Sequence, residues 1–378
     1  MTQITVQSAS KVEHRATREP LQATSASRLG VTMHGVTLTL EADHPPLIAY
    51  AAEHLHEQVT PPTTSSDLTV KCFWSQGEWD AEDNPFPSNG ALDVIGKRML
   101  GNGDELIWLD TLRMKGLQLR FRRAHGNFFF DVAYRFHPKK EKLESVADYE
   151  YKRYFSLMSY LVYYPIMWYL ENFRGWTMMH VSALSSERGG ILIGGLGGVG
   201  KTTTCVALMQ RPGISLIAEN LIFTDGEFIY PCYEPIRLDE GSLAMLGENP
   251  KGLQRMLFPE GLKEKWLFHF QLRETPEQAR PKVIFLPQFS SRRYVRPISP
   301  ESATEKILAM NRLTRELDDY FWYASALNMT WPKAGISSHR IEVVRRFCER
   351  VRCYELGIDR QAGVPAVVED IMRVFDSF

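Results

Sequence analysis

The feature that most constrains this chain is the stretch ILIGGLGGVGKTTTCVALM at 191–209. Within it, Gly195-Leu196-Gly197-Gly198-Val199-Gly200-Lys201-Thr202 matches the GxxxxGK[ST] pattern of a phosphate-binding loop. An apolar run precedes it and an apolar, helix-compatible run follows, which is the strand–loop–helix context the pattern requires. Glycines let successive backbone N–H groups converge on phosphate oxygens where a Cβ would obstruct. The helix that follows adds its positive N-terminal end. Lys201 supplies a point charge for the β- and γ-phosphates, and the Thr202 hydroxyl suits Mg²⁺. Gly195, Gly197, Gly198, Val199, Gly200, Lys201, Thr202 and Thr203 are therefore the candidate nucleotide-binding residues. ATP or another nucleoside triphosphate, with Mg²⁺, is the expected cofactor pair.

Two flanking segments bring further chemistry toward this loop. MHVSALSSERGGILIGG at 179–195 reads as a hairpin. A turn centred at Arg188-Gly189 sets His180 opposite residues 196 and 197. After the loop helix, SLIAEN at 215–220 reads as the returning strand of a parallel crossover. That places Glu219 and Asn220 at the sheet edge that carries the loop, in the strand beside it. A carboxylate there can hold Mg²⁺ with Thr202 or take a proton from a hydroxyl nucleophile. His180, Lys201, Glu219 and Asn220 are the candidate catalytic residues. The next segment, LIFTDGEFIY, is a second hairpin turning at Asp225-Gly226.

The 378 residues suffice for two domains. A hydrophobic content of 44% and a charged content of 24% are those of an ordinary globular chain. The formal net charge of −1 provides no global field for nucleic acid or acidic lipid, so neither is an expected partner. The five cysteines are odd in number and show no CxxC spacing, which fits a reducing cytoplasm. LMSYLVYYPIMWYLENF at 157–173 is long and apolar, but Pro165, four tyrosines and Glu171 mark it as an aromatic-rich core helix rather than a membrane span.

Residues 1–28 are polar and aperiodic and read as a loose leader, not a secretory signal. Residues 29–140 read as a small α+β domain of mostly antiparallel strands. It has a strand at 31–41, a helix at 45–59, a strand at 67–79 and a hairpin turning at Ala124-His125-Gly126-Asn127. His34, His54, His56 and His125 are scattered across it as surface or core residues. Residues 141–378 form the nucleotide-binding domain, an α/β unit with a mixed sheet; the chain is α+β overall. In its C-terminal part, Ser299-Pro300 opens a helix, and 308–329 and 341–351 continue as amphipathic helices. Pro365 begins the last.

The run of His180, Gly195 fifteen positions on, and LIA plus two polar residues after the loop helix resembles the catalytic domain of the HPr kinase/phosphorylase family. EPIRLDEGSLAML at 234–246, KVIFLPQF and PISPESATEKIL within 282–308, and CYELGID at 353–359 are similar to the texture of HPr-kinase-related proteins. The resemblance spans about 175–360. It implies a fold shared with phosphoenolpyruvate carboxykinase and transfer of the γ-phosphate of ATP to a hydroxyl of a small molecule, amino acid or peptide. It matches His180 to the family histidine and Glu219-Asn220 to an Asp-Asp pair, so that one of two carboxylates is missing. Asn is no proton acceptor and a weak Mg²⁺ ligand. No ERGxGI-like segment follows, which turns the expectation away from HPr itself as acceptor. Arg237 enters by the same analogy as a further charge for the transition state. Arg292 and Arg293, just past the 282–289 strand, are alternatives, and His269 is expected to be structural. A catalytically weak regulatory or scaffold protein derived from such an enzyme is the competing reading, and Asn220 is what favours it. A homo-oligomer is compatible with either.

Overall fold

The computed structural model describes residues 27–378 apart from 79, 81–83, 88–89, 112, 138–145, 247–252, 257–264 and 269–274. The expected leader and His269 fall outside the described residues, the leader save for its last two positions. The chain is mixed α/β, built on two large mixed sheets.

The N-terminal sheet has nine strands in the order Val59–Thr60, Ser27–Met33, Val36–Ala42, Leu68–Gln76, Asn127–Phe136, Leu117–Ala124, Glu105–Trp108, Met99–Gly101 and Asp93–Gly96. Leu68–Gln76 runs parallel to both of its neighbours, and the remaining pairs are antiparallel. The single strand expected at 31–41 is instead a hairpin. His34 and Gly35 take left-handed conformations, with φ of 52° and 70°, and fold Ser27–Met33 back on Val36–Ala42. Alternation alone hides such a turn, because a two-residue loop preserves the period of two on either side. The hairpin at 124–127 is as expected, with Ala124 paired to Asn127.

One face of this sheet is covered by a continuous helical stretch, Val146–Met158, Ser159–Tyr163, Tyr164–Tyr169 and Leu170–Arg174, of which the second and fourth parts are wound as π-turns. Leu157, Leu161, Val162, Ile166 and Leu170 are fully buried in a core shared with the sheet. Burying each such side chain is worth about 1.5–3 kcal/mol. The stretch expected to be a core helix is one, and among the described residues no helix is long and apolar enough to cross a membrane.

The second sheet has six strands in the order Ser215–Ala218, Ser182–Ser186, Gly189–Ile193, Pro281–Phe289, Arg352–Ile358 and Tyr294–Pro297. Gly189–Ile193, Pro281–Phe289 and Arg352–Ile358 are mutually parallel, so their C-terminal ends share one edge. Two expectations are corrected here. The hairpin turns at Glu187-Arg188, one residue earlier than expected, pairing Ser186 with Gly189 and Ser182 with Ile193. Gly189 and Gly190 are ladder residues because the adjoining strand approaches closely: a Cβ on Gly190 would lie 3.3 Å from Pro281 Cα. The strand Ser215–Ala218 ends at the expected edge but is not beside the loop strand. Ser182–Ser186 lies between them, antiparallel to both.

Two three-stranded sheets complete the architecture: Thr177–Met179 with Ile222–Thr224 and Ile229–Pro231, and Ile236–Asp239 with Lys265–Phe268 and Leu253–Met256. The 222–231 hairpin turns after Thr224 as expected. The helix expected at 308–329 is two helices, Pro300–Leu313 and Arg315–Thr330, broken at Thr314, whose backbone is extended. Ser299 caps the first by accepting from Ser302 N. Tyr320, Tyr323 and Leu327 of the second join Phe121, Phe130 and Trp168 in the N-terminal core. Its body therefore rests on the first sheet while its N-terminus reaches the edge of the second.

Candidate functional site

The strand Gly189–Ile193 is apolar and largely buried, and it runs into a glycine-rich loop that enters the helix Lys201–Met209. Gly200, the residue before the helix, has φ of 89°, and Gly195 and Gly198 have φ of 121° and 83°. Those values suit glycine and strain any residue with a Cβ. Cβ atoms built on Gly197, Gly198 and Gly200 would meet nothing within 4 Å, so the loop faces open space. It forms one wall of a cavity of about 1040 Å³, also lined by His180, Glu219, Asn220, Arg237 and Glu316. Val199 packs its side chain back on Gly195.

Lys201 is 7% exposed, and its Nζ donates to the carbonyls of Gly195 at 2.8 Å and Leu196 at 3.1 Å. Burial lowers its pKa, while Glu219 and Glu316 pull it back up. Thr202 Oγ1 donates to Glu219 Oε1 at 2.5 Å. Thr203 turns toward Ser242, with 3.3 Å between hydroxyls. Glu219 follows the strand Ser215–Ala218 and is 8% exposed. Burial raises its pKa, opposed by the Thr202 hydroxyl and by Arg237. The structure thus brings the loop lysine, the threonine hydroxyl and this carboxylate together.

His180 also reaches the cavity, though not through the expected ladder. Pairing of the hairpin ends at Ser182 and Ile193, and His180 lies between Thr177–Met179 of a small sheet and Ser182–Ser186 of the large one. Its backbone N–H donates to Asn311 Oδ1 at 3.0 Å. Burial, and then Lys201, lowers the pKa of the imidazole to about 4, so the ring is neutral at pH 7. Nε2 lies 3.1 Å from Asn220 Oδ1, and Nδ1 lies 2.8 Å from Thr314 Oγ1. Thr314 Oγ1 also lies 2.9 Å from the Met310 carbonyl, and its one proton serves either that carbonyl or the ring; a neutral ring satisfies both of its contacts when Nε2–H donates to Asn220 and the Thr314 proton turns to Nδ1. Asn220 Nδ2 in turn donates to Glu234 Oε2 at 3.1 Å.

Glu234 is the residue the motif reading missed. It supplies a second carboxylate beside Asn220 from outside the loop–strand unit, and burial raises its pKa. Arg237 lies near Glu234 and pairs with Glu316 Oε1 at 3.2 Å. Burial works against its charge, but Glu234, Glu316 and Glu219 outweigh that and raise its pKa. Its guanidinium also sits 5.4 Å above the Phe155 ring. Arg292 and Arg293 do not line the cavity; Arg293 pairs with Glu369 and Asp370. Arg315 and Arg360 line it instead. Thr314, Arg315 and Glu316 were hidden by reading one helix where there are two. The signal available was Thr314 ahead of an acidic first turn, Glu316 and Asp318.

Among the described residues no group of three or more His, Cys, Asp or Glu side chains converges to hold a metal. The Thr202–Glu219 pair fits Mg²⁺ in another manner, since that ion is commonly held by one or two protein oxygens, water and substrate phosphates. No protein-family model matches the chain, and no curated protein matches it.

Proposed function

We propose that the chain is an ATP-dependent phosphotransferase that moves the γ-phosphate to a hydroxyl, with a fold of the HPr kinase/phosphoenolpyruvate carboxykinase kind. The single observation that carries this reading is the contact of Thr202 Oγ1 with Glu219 Oε1 at 2.5 Å, beside a glycine loop open to the cavity. Backbone N–H groups of the loop and the Lys201 ammonium cradle the phosphates. Thr202 and Glu219 hold Mg²⁺, which when bound neutralises charge on the β- and γ-phosphates.

Glu219 accepts the proton as the acceptor oxygen bonds to the γ-phosphorus and the bond from that phosphorus to the β,γ-bridging oxygen breaks. Arg237, locked by Glu316, faces the charge that develops. His180 is neutral and donates to Asn220, so it orders the wall of the site and does not compete for the proton. The acceptor is a small molecule or peptide in a cytoplasmic setting.

Nucleotide binding with weak turnover is the second reading, favoured by Asn220, whose amide is bonded on both sides. Incubation with γ-labelled ATP, Mg²⁺ and a panel of hydroxyl acceptors separates the two. Transfer of label to an acceptor, lost in Glu219→Gln and in Lys201→Ala, supports the phosphotransferase. Label appearing nowhere, with ATP binding retained, supports the second reading. Full transfer by Glu219→Gln would remove the carboxylate from the mechanism.

A further inference from the structure

The sheet order orients a nucleotide in the cavity. The loop strand Gly189–Ile193 has Ser182–Ser186 and then Ser215–Ala218 on one side, and Pro281–Phe289 and then Arg352–Ile358 on the other. Glu219, at the end of Ser215–Ala218, and His180 therefore lie to one side of the glycine loop. Phe289 and Arg360, at the ends of the strands opposite, lie to the other, and both line the same cavity. A triphosphate whose γ end meets Glu219 sends its nucleoside toward Phe289.

That second side is built differently. The Phe289 ring is 43% exposed, unusual for a large apolar side chain at the end of a core strand. The Arg360 guanidinium carbon lies 3.8 Å from the ring centroid, over the ring, forming a cation–aromatic stack. Val364 and Pro365 supply an apolar rim. The neighbouring carboxylate is engaged in the chain turn, since Asp359 Oδ1 accepts from Gln361 N at 2.9 Å.

We propose that the Phe289–Arg360 stack holds the nucleoside base, and that it selects purines by stacking area rather than by reading their exocyclic groups. The proposal rests on the nucleotide reading above. A base laid on the stack adds a third layer, and stacking tolerates any flat π-face, more so the larger the ring system. Among the described residues that line this side of the cavity, no buried polar side chain offers the paired hydrogen bonds that distinguish adenine from guanine.

The test is titration calorimetry of the full chain with Mg²⁺ and, in separate arms, ATP, GTP, CTP, UTP and inorganic tripolyphosphate. ATP and GTP are expected to bind within about tenfold of each other, and both more tightly than CTP or UTP. Phe289→Ala and Arg360→Ala are each expected to weaken ATP by about tenfold while leaving tripolyphosphate unchanged. Phe289→Leu, which keeps apolar bulk for folding, should fall between wild type and Phe289→Ala. Equal losses for ATP and tripolyphosphate, or no loss in any of the variants, would overturn the base subsite while leaving phosphate capture standing. Binding of neither ATP nor tripolyphosphate by the wild-type chain would remove both readings together.

Discussion

Asn220 stands between His180 and Glu234, with its Oδ1 3.1 Å from His180 Nε2 and its Nδ2 donating to Glu234 Oε2 at 3.1 Å. An amide is the side chain that can face a donor on one side and an acceptor on the other. The position that resemblance marks as a missing carboxylate is thus occupied by a bridge between an imidazole and a carboxylate.

Asn220→Asp would replace the donor facing Glu234 with a like charge. We expect a loss of about 1–3 kcal/mol from the broken buried contact, measured by urea unfolding. The imidazole of His180, now beside a carboxylate, should titrate well above its pKa of about 4, read by NMR of the ring protons. An equally stable variant with an unmoved titration would show that the bridge does not govern this wall of the site.

His34 carries a pH dependence of its own. Burial lowers its pKa from 6.5 to about 4, against the hydrogen bond to the Pro231 carbonyl. The unfolded chain then binds the proton first, so stability is intact above pH 6.5 and is lost as pH falls toward 4. His34→Asn keeps a residue tolerant of the φ of 52° and removes the titration. Between pH 6.5 and pH 5 the variant should lose about 1.5 kcal/mol less stability than the wild type. Parallel stability–pH curves would show that His34 is not held neutral.

Two buried tyrosines on one helix should respond oppositely to the same change. The Tyr320 hydroxyl donates to Glu171 Oε2 at 2.7 Å, and Glu171 in turn holds Arg340. The Tyr323 hydroxyl is buried with no hydrogen-bond partner among the described residues. Thermal unfolding should show Tyr320→Phe destabilised by about 1–3 kcal/mol and Tyr323→Phe neutral or stabilised. Equal destabilisation of both would contradict this assignment.

Gly198 and Gly197 separate backbone strain from steric access. Neither would place a Cβ against a neighbour, but only Gly198 has a positive φ, 83°. Gly198→Ala should cost about 1–2 kcal/mol in denaturant unfolding and Gly197→Ala close to nothing. If the two costs were equal, the loop in solution would not hold this conformation.

Much of the site was legible because it is local. A glycine pattern with Lys201 and Thr202 specifies its own corner, and Glu219 lies one crossover further on, so short-range rules reached both. The two helices that meet at Thr314 were read as one because their apolar periodicity runs on across the break. Thr314 and Glu316 escaped with that break, whereas Glu234 escaped for the same reason that Arg292 and Arg293 were misplaced: which charges face a cavity depends on strand order, and spacing along the chain does not encode it. The nine-stranded sheet was read as strands and turns, but its order was not, and its first hairpin was missed at His34-Gly35.

By itself, the chain's order of residues determined the strand–loop–helix corner, the buried aromatic helix at 157–173, and the edge of the sheet to which Glu219 belongs. Those follow from hydrogen-bonding periodicity and from backbone freedom at glycine, which act over a few residues. Tertiary packing alone decided that Ser182–Ser186 lies between the two site strands, that Asn220 joins His180 to Glu234, and that a helix seated on the N-terminal sheet delivers Glu316 to Arg237. Such contacts pair groups dozens of positions apart, and they form because burying apolar faces and leaving no buried charge without a partner are requirements on the whole molecule.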